Sequence, residues 1–381
     1  MPTQANTSAR RTLTAARVLA EVIMQGGASR SRLAGWLGVS KASISRAVEE
    51  LIGNGWVEEG ARFRVAQRGR SATSIIARAG LGYIIGADLE GSAARACIFD
   101  CQRNVIGSRR RAIDPSWAPQ RIGAQIRALV DEVIADADVP SEKLIALGLA
   151  LPGVATLDGR EVRTTFAQGK LTRVGIHEMI GDFELPIVAA DNTLCVSDYE
   201  RRFGVAADVQ SFASVLVRYG IGAAICSNGR FLSGEAVLCS ELGHVRMQLD
   251  GEECICGQRG CLDTLASGRT WPSAEERHGE RWEADLANRA HHLGVGIANL
   301  LKIVPLPVVV LNGIYNAYPD IVRPAVNSAL NAALEPIGLQ VPSLRFGDDL
   351  ESKASISAGL RALDQCLGEY LERSSLARRS A

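Results

Sequence analysis

One short segment of the chain combines three thiols with an imidazole. Three cysteines and one histidine are the ligand types and number of a closed tetrahedral zinc site. Gly257 and Gly260 let the backbone turn tightly enough for all three thiols to reach one ion. The alternative is a set of buried free thiols beside a surface histidine. The spacing favours zinc, and the expected ligands are His244, Cys254, Cys256 and Cys261.

The charge of the chain is unevenly distributed. Basic and acidic residues both number 42, so the whole chain is neutral. The first 70 residues hold eleven Lys or Arg and five Asp or Glu, a net charge of +6, which leaves −6 for the remaining 311. A small basic module on an acidic body is typical of proteins that bind a polyanion, most often nucleic acid. A basic solvated surface without a partner is the alternative.

The cysteines and the apolar runs indicate the cellular compartment in which the protein is expected. Nine cysteines, an odd number, occur in a chain whose N-terminal segment does not resemble a signal peptide. This combination indicates a reducing environment, which favours metal ligation over disulfides. No apolar run approaches the roughly 20 residues that a membrane helix needs. We therefore expect a cytoplasmic protein with no membrane segment.

The basic head has the pattern of a helix-turn-helix module. Apolar spacing predicts helices over 12–25, about 29–37 and about 40–51, with Gly38 in the turn and with Ser29 and Ser40 as N-caps. The segment 56–65 alternates around a turn, which predicts a β-hairpin wing. A docking module for another protein is the alternative, but the basic charge favours DNA.

Short polar and basic side chains of the head are suited to base edges and phosphates. An unpacked basic linker is expected over 68–71, and arginine in an extended segment can enter a narrow minor groove. The candidate DNA contacts are Arg30, Ser40, Lys41, Ser43, Ser45, Arg46, Arg62, Arg64, Arg68 and Arg70.

Beyond the head, strands alternate with helices, which predicts two α/β lobes. No internal repeat of 20–50 residues is sustained. The predicted strands are 83–89, 94–99, 144–151, 186–190, 212–217, 222–227 and 307–311, and the predicted helices are 121–135, 193–202, 287–301 and 355–367.

The zinc segment, preceded by Glu241 in Glu-Leu-Gly-His, resembles the ROK family of repressors and sugar kinases. Four further motifs follow in the family's order. Residues 88–92 stand where the kinases carry Asp-x-Gly-Gly-Thr, 151–154 match a Pro-Gly-x-Val loop, 191–193 stand at Asn-Asp-Ala, and 218–224 stand at the glycine-rich phosphate loop. Only the zinc segment is specific enough to stand alone.

The resemblance covers nearly the whole chain and implies a fold. The expected architecture is an N-terminal winged helix-turn-helix followed by a two-lobed, actin-like ATPase fold of the ROK type. The expected domains are a DNA-binding domain with its linker over 1–75, a first lobe over 76–190 with a C-terminal helix at about 355–375, and a second lobe with the zinc loop over 191–354.

The resemblance also implies a sugar site. Glu241 can accept two hydroxyl hydrogens, and His244, held to zinc through one ring nitrogen, can offer the other to a sugar. Asp263 stands where the family has a glutamate and is one methylene shorter, so this contact is expected to be weaker or bridged by water. The alternative is an empty cleft in which Glu241 only orients His244. The expected sugar contacts are Gly153, Asp191, Asn192, Glu241, His244 and Asp263.

The resemblance places an amide at the catalytic position of the kinases. Asn192 stands where they carry the general base, and an amide cannot accept a proton near neutral pH. Arg218 and Tyr219 replace the start of the phosphate loop, and Asn312 stands in place of a glycine that meets the nucleotide. We therefore expect no catalytic residues. The alternative is a one-residue slip that makes Asp191 the base.

These observations lead to one main hypothesis and two alternatives. The main one is a sugar-responsive regulator, expected to be a repressor, that binds a pseudo-palindromic operator as a homodimer or homotetramer. The first alternative is a ROK sugar kinase that phosphorylates a hexose or N-acetylhexosamine and carries a DNA-binding extension. The second is a regulator that responds to a protein partner.

Overall fold

The computed structural model describes residues 4–64, 71–114, 116–156, 158–164, 172–232, 241–348 and 351–379. Within them, the head forms three helices and two strands: α1 (Gln4–Gln25), α2 (Arg30–Leu37), α3 (Lys41–Gly53), β1 (Val57–Arg64) and β2 (Ser71–Ala77). The side chain of Ser29 accepts a hydrogen bond from the Arg32 amide, and that of Ser40 accepts one from the Ser43 amide. The predicted helices and both caps are confirmed.

The wing differs from its prediction. Residues 57–64 form one strand that pairs antiparallel with β2. A bulge between Glu59 and Arg62 lies where the sequence predicted a turn. Ile75 is fully buried and supplies the apolar partner that holds this pairing together. Of the expected basic linker over 68–71, Ser71 begins β2, and the rest of the linker lies outside the described residues. Arg68 and Arg70 lie outside the described residues.

The first lobe is built on a five-stranded sheet with the order β10-β6-β3-β4-β5. Strand β6 runs parallel to both its neighbours, whereas β3, β4 and β5 are antiparallel. A small sheet of β7, β8 and β9 lies beside it. The elements are β3 (Tyr83–Glu90), β4 (Ala93–Asp100), β5 (Val105–Ala112), α4 (Pro119–Ala137), β6 (Leu144–Leu151), β7 (Val154–Ala155), β8 (Glu161–Thr164), β9 (Thr172–Gly175), α5 (Ile176–Ile180) and β10 (Ile187–Asp191).

The second lobe is built on another five-stranded sheet, with the order β13-β12-β11-β14-β15. Helices α8 and α9 cover it with a continuous apolar core. The elements are α6 (Asn192–Arg202), β11 (Phe212–Val217), β12 (Ile221–Ser227), β13 (Arg230–Phe231), α7 (Leu262–Ala266), α8 (Gly279–Ile303), β14 (Val308–Gly313), α9 (Pro319–Leu334) and β15 (Ser343–Phe346). The last helix, α10 (Lys353–Arg379), returns to the first lobe. The two α/β lobes are thus confirmed.

The head and the first lobe share one hydrophobic core. Leu19 and Ile23 of α1 belong to the same buried cluster as Leu363 and Leu367 of α10. Helix α10 also lies directly on the first sheet, where Gly86 leaves no room for a side chain against the backbone of Ser355. The head is therefore packed onto the body through α1 and α10.

Two elements lie at expected domain limits. Strand β2 runs to Ala77, two residues past the expected limit at 75, and α10 spans Lys353–Arg379, around the expected helix at about 355–375. The other domain limits stay predictions. No helix in the described part of the chain is long and apolar enough to cross a membrane.

Candidate functional site

The expected zinc ligands come together in space. The ligand atoms of His244, Cys254, Cys256 and Cys261 all lie within 4.8 Å of one another. The Sγ of Cys254 is 3.6 Å from the Nδ1 of His244, and the Sγ atoms of Cys256 and Cys261 are 3.7 Å apart. Tetrahedral bonds of about 2.3 Å to sulfur and about 2.1 Å to nitrogen require edges of about 3.6–3.8 Å. The donor set and both measured separations therefore fit one zinc ion.

Local backbone geometry produces this cluster. Gly257 and Gly260 both have positive φ, 83° and 69°. The amide of Cys254 donates to the carbonyl of Gln258, and the amide of Met247 donates to the carbonyl of Gly260. These bonds fold the loop back on itself, so that Cys261 reaches the other two thiols. The expected mechanical role of the two glycines agrees with this geometry.

His244 lies between the thiols and Glu241. Its Nδ1 faces Cys254, whereas its Nε2 is 3.9 Å from the Oε2 of Glu241. One ring nitrogen is thus directed at the Cys254 thiol, and the other at a carboxylate. This arrangement fixes the orientation of the imidazole. It is compatible with a shared ligand contact and with the alternative in which Glu241 only orients the ring.

Asp191 and Asn192 lie at the start of α6. Asp191 caps the helix by accepting a hydrogen bond from the Leu194 amide at 2.9 Å. Burial, opposed by this bond and assisted by the charge of Glu241, raises the pKa of Asp191 to about 7. The Nδ2 of Asn192 donates to the carbonyl of Leu89 at 2.7 Å, and its buried Oδ1 has no hydrogen-bond partner among the described residues. Two acceptors that could meet hydroxyl groups therefore lie at this helix end.

The two remaining expected sugar contacts, Gly153 and Asp263, lie in different surroundings. Gly153, with φ 108°, follows β6 by two residues, and Leu151 at the end of β6 pairs with Asp191, so Gly153 belongs to the same sheet edge. Asp263 is 4 % exposed, and its two oxygens already accept from the Ile221 amide and from Arg269 at 2.9 and 3.3 Å. Burial raises its pKa. A ligand would have to share these oxygens with the protein.

Charged side chains pair with each other among the residues that were expected to form the phosphate loops. The Oε2 of Glu90 is 2.6 Å from Arg95 and 2.5 Å from Arg218, which lies on the other lobe. Arg95 is also 3.3 Å from Asp88. Burial raises the pKa of Asp88 to about 7, although Arg95 and Arg218 oppose the shift. The sequence analysis noted that Arg218 departs from the phosphate loop of the kinases, but it did not predict these ion pairs. The opposite charges of Glu90 and Arg218 were the signal that could have indicated them.

A second buried charge cluster was not predicted. The Nζ of Lys353 is 2.6 Å from the Oε1 of Glu200 and 2.6 Å from the Oδ1 of Asp348. It is also 3.5 Å from the Oδ1 of Asn312, a residue expected at the nucleotide. Lys353, Glu200 and Asn312 are all at most 4 % exposed. The expected nucleotide contact Asn312 is thus engaged with buried protein groups.

The candidate DNA contacts of the head are partly described. On α3 and its cap, Ser40, Lys41 and Arg46 are exposed, and Ser43 and Ser45 are half-buried. Arg30 forms an ion pair with Glu59 at 3.1 Å, so it also ties α2 to the wing. Arg62 and Arg64 belong to β1, but their side chains lie outside the described atoms, as do Arg68 and Arg70 altogether.

Fold and site together define a class: a helix-turn-helix head on a two-lobed body of the actin type with a Cys/His loop. The family model "ROK family" matches residues 84–338. The chain belongs to the ROK family.

Two curated relatives and two solved structures are similar over most of their length. The transcriptional dual regulator NagC of Escherichia coli K12 is 24 % identical over 91 % of each chain. The xylose repressor of Bacillus subtilis 168 is 22 % identical over 80 % of this chain and 83 % of its own. A ROK transcriptional regulator homologous to the E. coli MLC protein has a TM-score of 0.73 at 20 % identity over 95 % and 98 %. The ROK hexokinase of Thermus thermophilus has a TM-score of 0.57 at 24 % identity over 77 % and 99 %.

Proposed function

We propose that this chain is a sugar-responsive transcriptional repressor. Its head binds operator DNA, and the cleft beside the zinc loop binds a sugar or sugar derivative. The observation that carries the proposal is the combination of a helix-turn-helix with an exposed basic face and a ROK body in one hydrophobic core. The regulators among the relatives cover both parts of the chain.

Zinc is proposed as the resident metal, with His244, Cys254, Cys256 and Cys261 as its ligands. Four protein ligands leave no open position, so the metal supplies structure and not a reaction. Its role is to fix the loop that carries His244 beside Glu241. A closed site of this kind contributes to folding outright.

The proposal assigns no phosphoryl transfer to the cleft. A kinase needs a general base and loops whose backbone approaches the phosphates. Here Asn192 stands at the position of the base, and the carboxylate of Glu90 already sits between Arg95 and Arg218. The sugar would be recognised by Asp191, Asn192, Glu241 and His244, with Gly153 and Asp263 at the margin.

The kinase alternative keeps one specific observation in its favour. The pKa of Asp191, raised to about 7 by burial, is in the range that a general base requires. However, this carboxylate already caps α6. The two functions can be distinguished by following ADP release from ATP in the presence of sugars, as described next.

The experiment uses the full chain and a duplex selected by the protein from a randomised library. Binding to this duplex is measured with and without each sugar of a panel that includes N-acetylglucosamine and D-xylose. The proposal expects one sugar to raise the melting temperature and to change DNA affinity about tenfold, with no ADP release from ATP. Sugar-dependent ADP formation at about 1 s⁻¹ or faster would establish the kinase instead.

The assembly is proposed to be a homodimer or homotetramer that binds two half-sites. One small head makes too few base contacts for a specific affinity. Its charge predicts a steep loss of affinity with added salt. A cytoplasmic location remains part of the proposal.

A further inference from the structure

Helix α6 spans the distance between the proposed ligand cleft and the head. It begins with Asn192 at the cleft and ends with Arg202, and its 11 residues cover about 16 Å. Residues 192–198 are all buried. Asp198 accepts hydrogen bonds from Arg201 and from Arg202, which ties the last turn together. A displacement at the start of this helix is therefore carried to its end.

The end of α6 is met by a tight turn between β4 and β5. Asp100 fixes this turn by accepting hydrogen bonds from the amides of Gln102 and Asn104, at 2.8 and 2.9 Å. Arg103 at its tip has φ 71°, in the left-handed region. The guanidinium of Arg103 is 4.2 Å from the ring centroid of Phe203, the residue that caps α6. The turn therefore places the guanidinium of Arg103 against the C-terminal end of α6.

The same turn touches the head at two points. The guanidinium of Arg103 packs against Gly26 at the end of α1, in the space that a side chain at position 26 would occupy. The Nε2 of Gln102 donates to the carbonyl of Ala77, the last residue of β2, at 2.9 Å. Arg103 therefore lies between Phe203 of the body and Gly26 of the head.

The contacts of Arg103 are weaker than those of its neighbours. Arg202 is paired with Asp198 at 2.9 Å, whereas the ion pairs of the described residues do not include Arg103. Its buried Nε has no hydrogen-bond acceptor in the described structure, and burial lowers its pKa. A cation that is held by a ring and by packing alone can shift when the ring moves.

We propose that Arg103 is a positioning residue that transmits occupancy of the cleft to the DNA-binding head. A ligand that shifts Asn192 moves α6 and Phe203, and Phe203 moves the guanidinium against Gly26. The tilt of α1, which packs on α3, then changes the presentation of the DNA-binding face. This inference rests on the proposed function for the identity of the ligand and of the DNA, but the mechanical link belongs to the chain itself.

The first arm of the test needs neither sugar nor DNA. Hydrogen exchange is measured at Gly27 and Ala28, whose amides donate to Val22 and to Ile75. Asn192→Ala, which removes the bond to Leu89, is expected to change exchange at these two amides about threefold or more. In an Arg103→Asn background the same change should have no effect. Equal responses in both backgrounds, or no response in either, would overturn the proposal.

The second arm uses the full chain with its selected duplex and with N-acetylglucosamine and D-xylose as probes. Arg103→Asn suits the positive φ, so the turn is retained. Sugar binding, followed by melting temperature, should stay unchanged, while the ratio of DNA affinities with and without sugar falls from about tenfold to near one. Arg103→Lys should restore part of the ratio. Arg110→Asn, which removes an exposed cation from the neighbouring strand, should keep it.

The two arms separate the inference from the proposed function. If the wild-type chain responds to neither sugar but the exchange experiment succeeds, the ligand assignment fails and the mechanical link stands. If the wild-type chain responds and Arg103→Asn responds equally, the link fails and the proposed function stands.

Discussion

Two groups of polar residues use their side chains in opposite ways: the proposed zinc side (Asp191, Asn192, Glu241 and His244) and the phosphate side (Asp88, Glu90, Arg95 and Arg218). On the zinc side, Asn192 keeps a buried oxygen without a partner among the described residues, and the pKa of Asp191 is raised to about 7. On the phosphate side, Glu90 is already shared between Arg95 and Arg218. The first side retains capacity for hydroxyl groups, and the second is occupied by its own charges. The proposal therefore assigns sugar recognition to the first group and no phosphoryl transfer to the second.

The largest expected effect concerns the metal. Cys261→Ser removes a fully buried ligand, so zinc content should fall from about one per chain, and the free energy of unfolding should drop by several kcal/mol. Metal analysis and thermal unfolding measure the two quantities. Cys101→Ser is the matched control, because this buried thiol lies outside the cluster and donates to the Gly82 carbonyl. Full zinc content in Cys261→Ser would show that the four residues are not a metal site.

A smaller effect tests the charge cluster through its pH dependence. The pKa of Asp88 is raised to about 7 in the folded state from about 4 in the unfolded chain, so the folded state holds this proton more tightly. The free energy of unfolding should therefore fall as the pH rises from about 4 to about 7. Asp191 has the same shift, so Asp88→Asn should reduce this slope by about half and leave the part that Asp191 contributes. It should also stabilise the protein at pH 8 by about 1 kcal/mol or more.

The control for this experiment is an exposed carboxyl with the opposite shift. Hydrogen bonds from Ser116 lower the pKa of Asp114. Asp114→Asn should leave the slope between pH 4 and 7 in place. If Asp88→Asn kept the wild-type slope, the burial argument for the phosphate side would be wrong.

The parts that the sequence predicted well depend on local spacing. The cluster of His244 with three cysteines needs only one segment with two glycines in turns, and the helices of the head follow from apolar spacing and two serine caps. The strand Leu144–Leu151 was predicted at the residues where it is found, because a buried strand is a continuous apolar run. These features involve few distant contacts.

The parts that were missed or wrong depend on distant partners. The pairing of β1 with β2 required Ile75 to be recognised as the partner of Glu59 across the wing. The ion pairs of Glu90 with Arg218 and of Lys353 with Glu200 join residues more than 100 positions apart. Packing of α1 on α10, which the sequence did not predict, joins the two ends of the chain. Local periodicity carries no information about such contacts.

The most direct test of the central claim compares wild-type protein with Glu241→Ala in DNA binding with and without sugar. Glu241 faces His244 on the zinc side and lies far along the chain from the head. The account predicts equal affinity of both proteins for the selected duplex without sugar. It predicts an approximately tenfold change with sugar in the wild type, about 1.4 kcal/mol of coupling, and no change in Glu241→Ala. A fully responsive Glu241→Ala would contradict the assignment of the cleft as the sugar sensor.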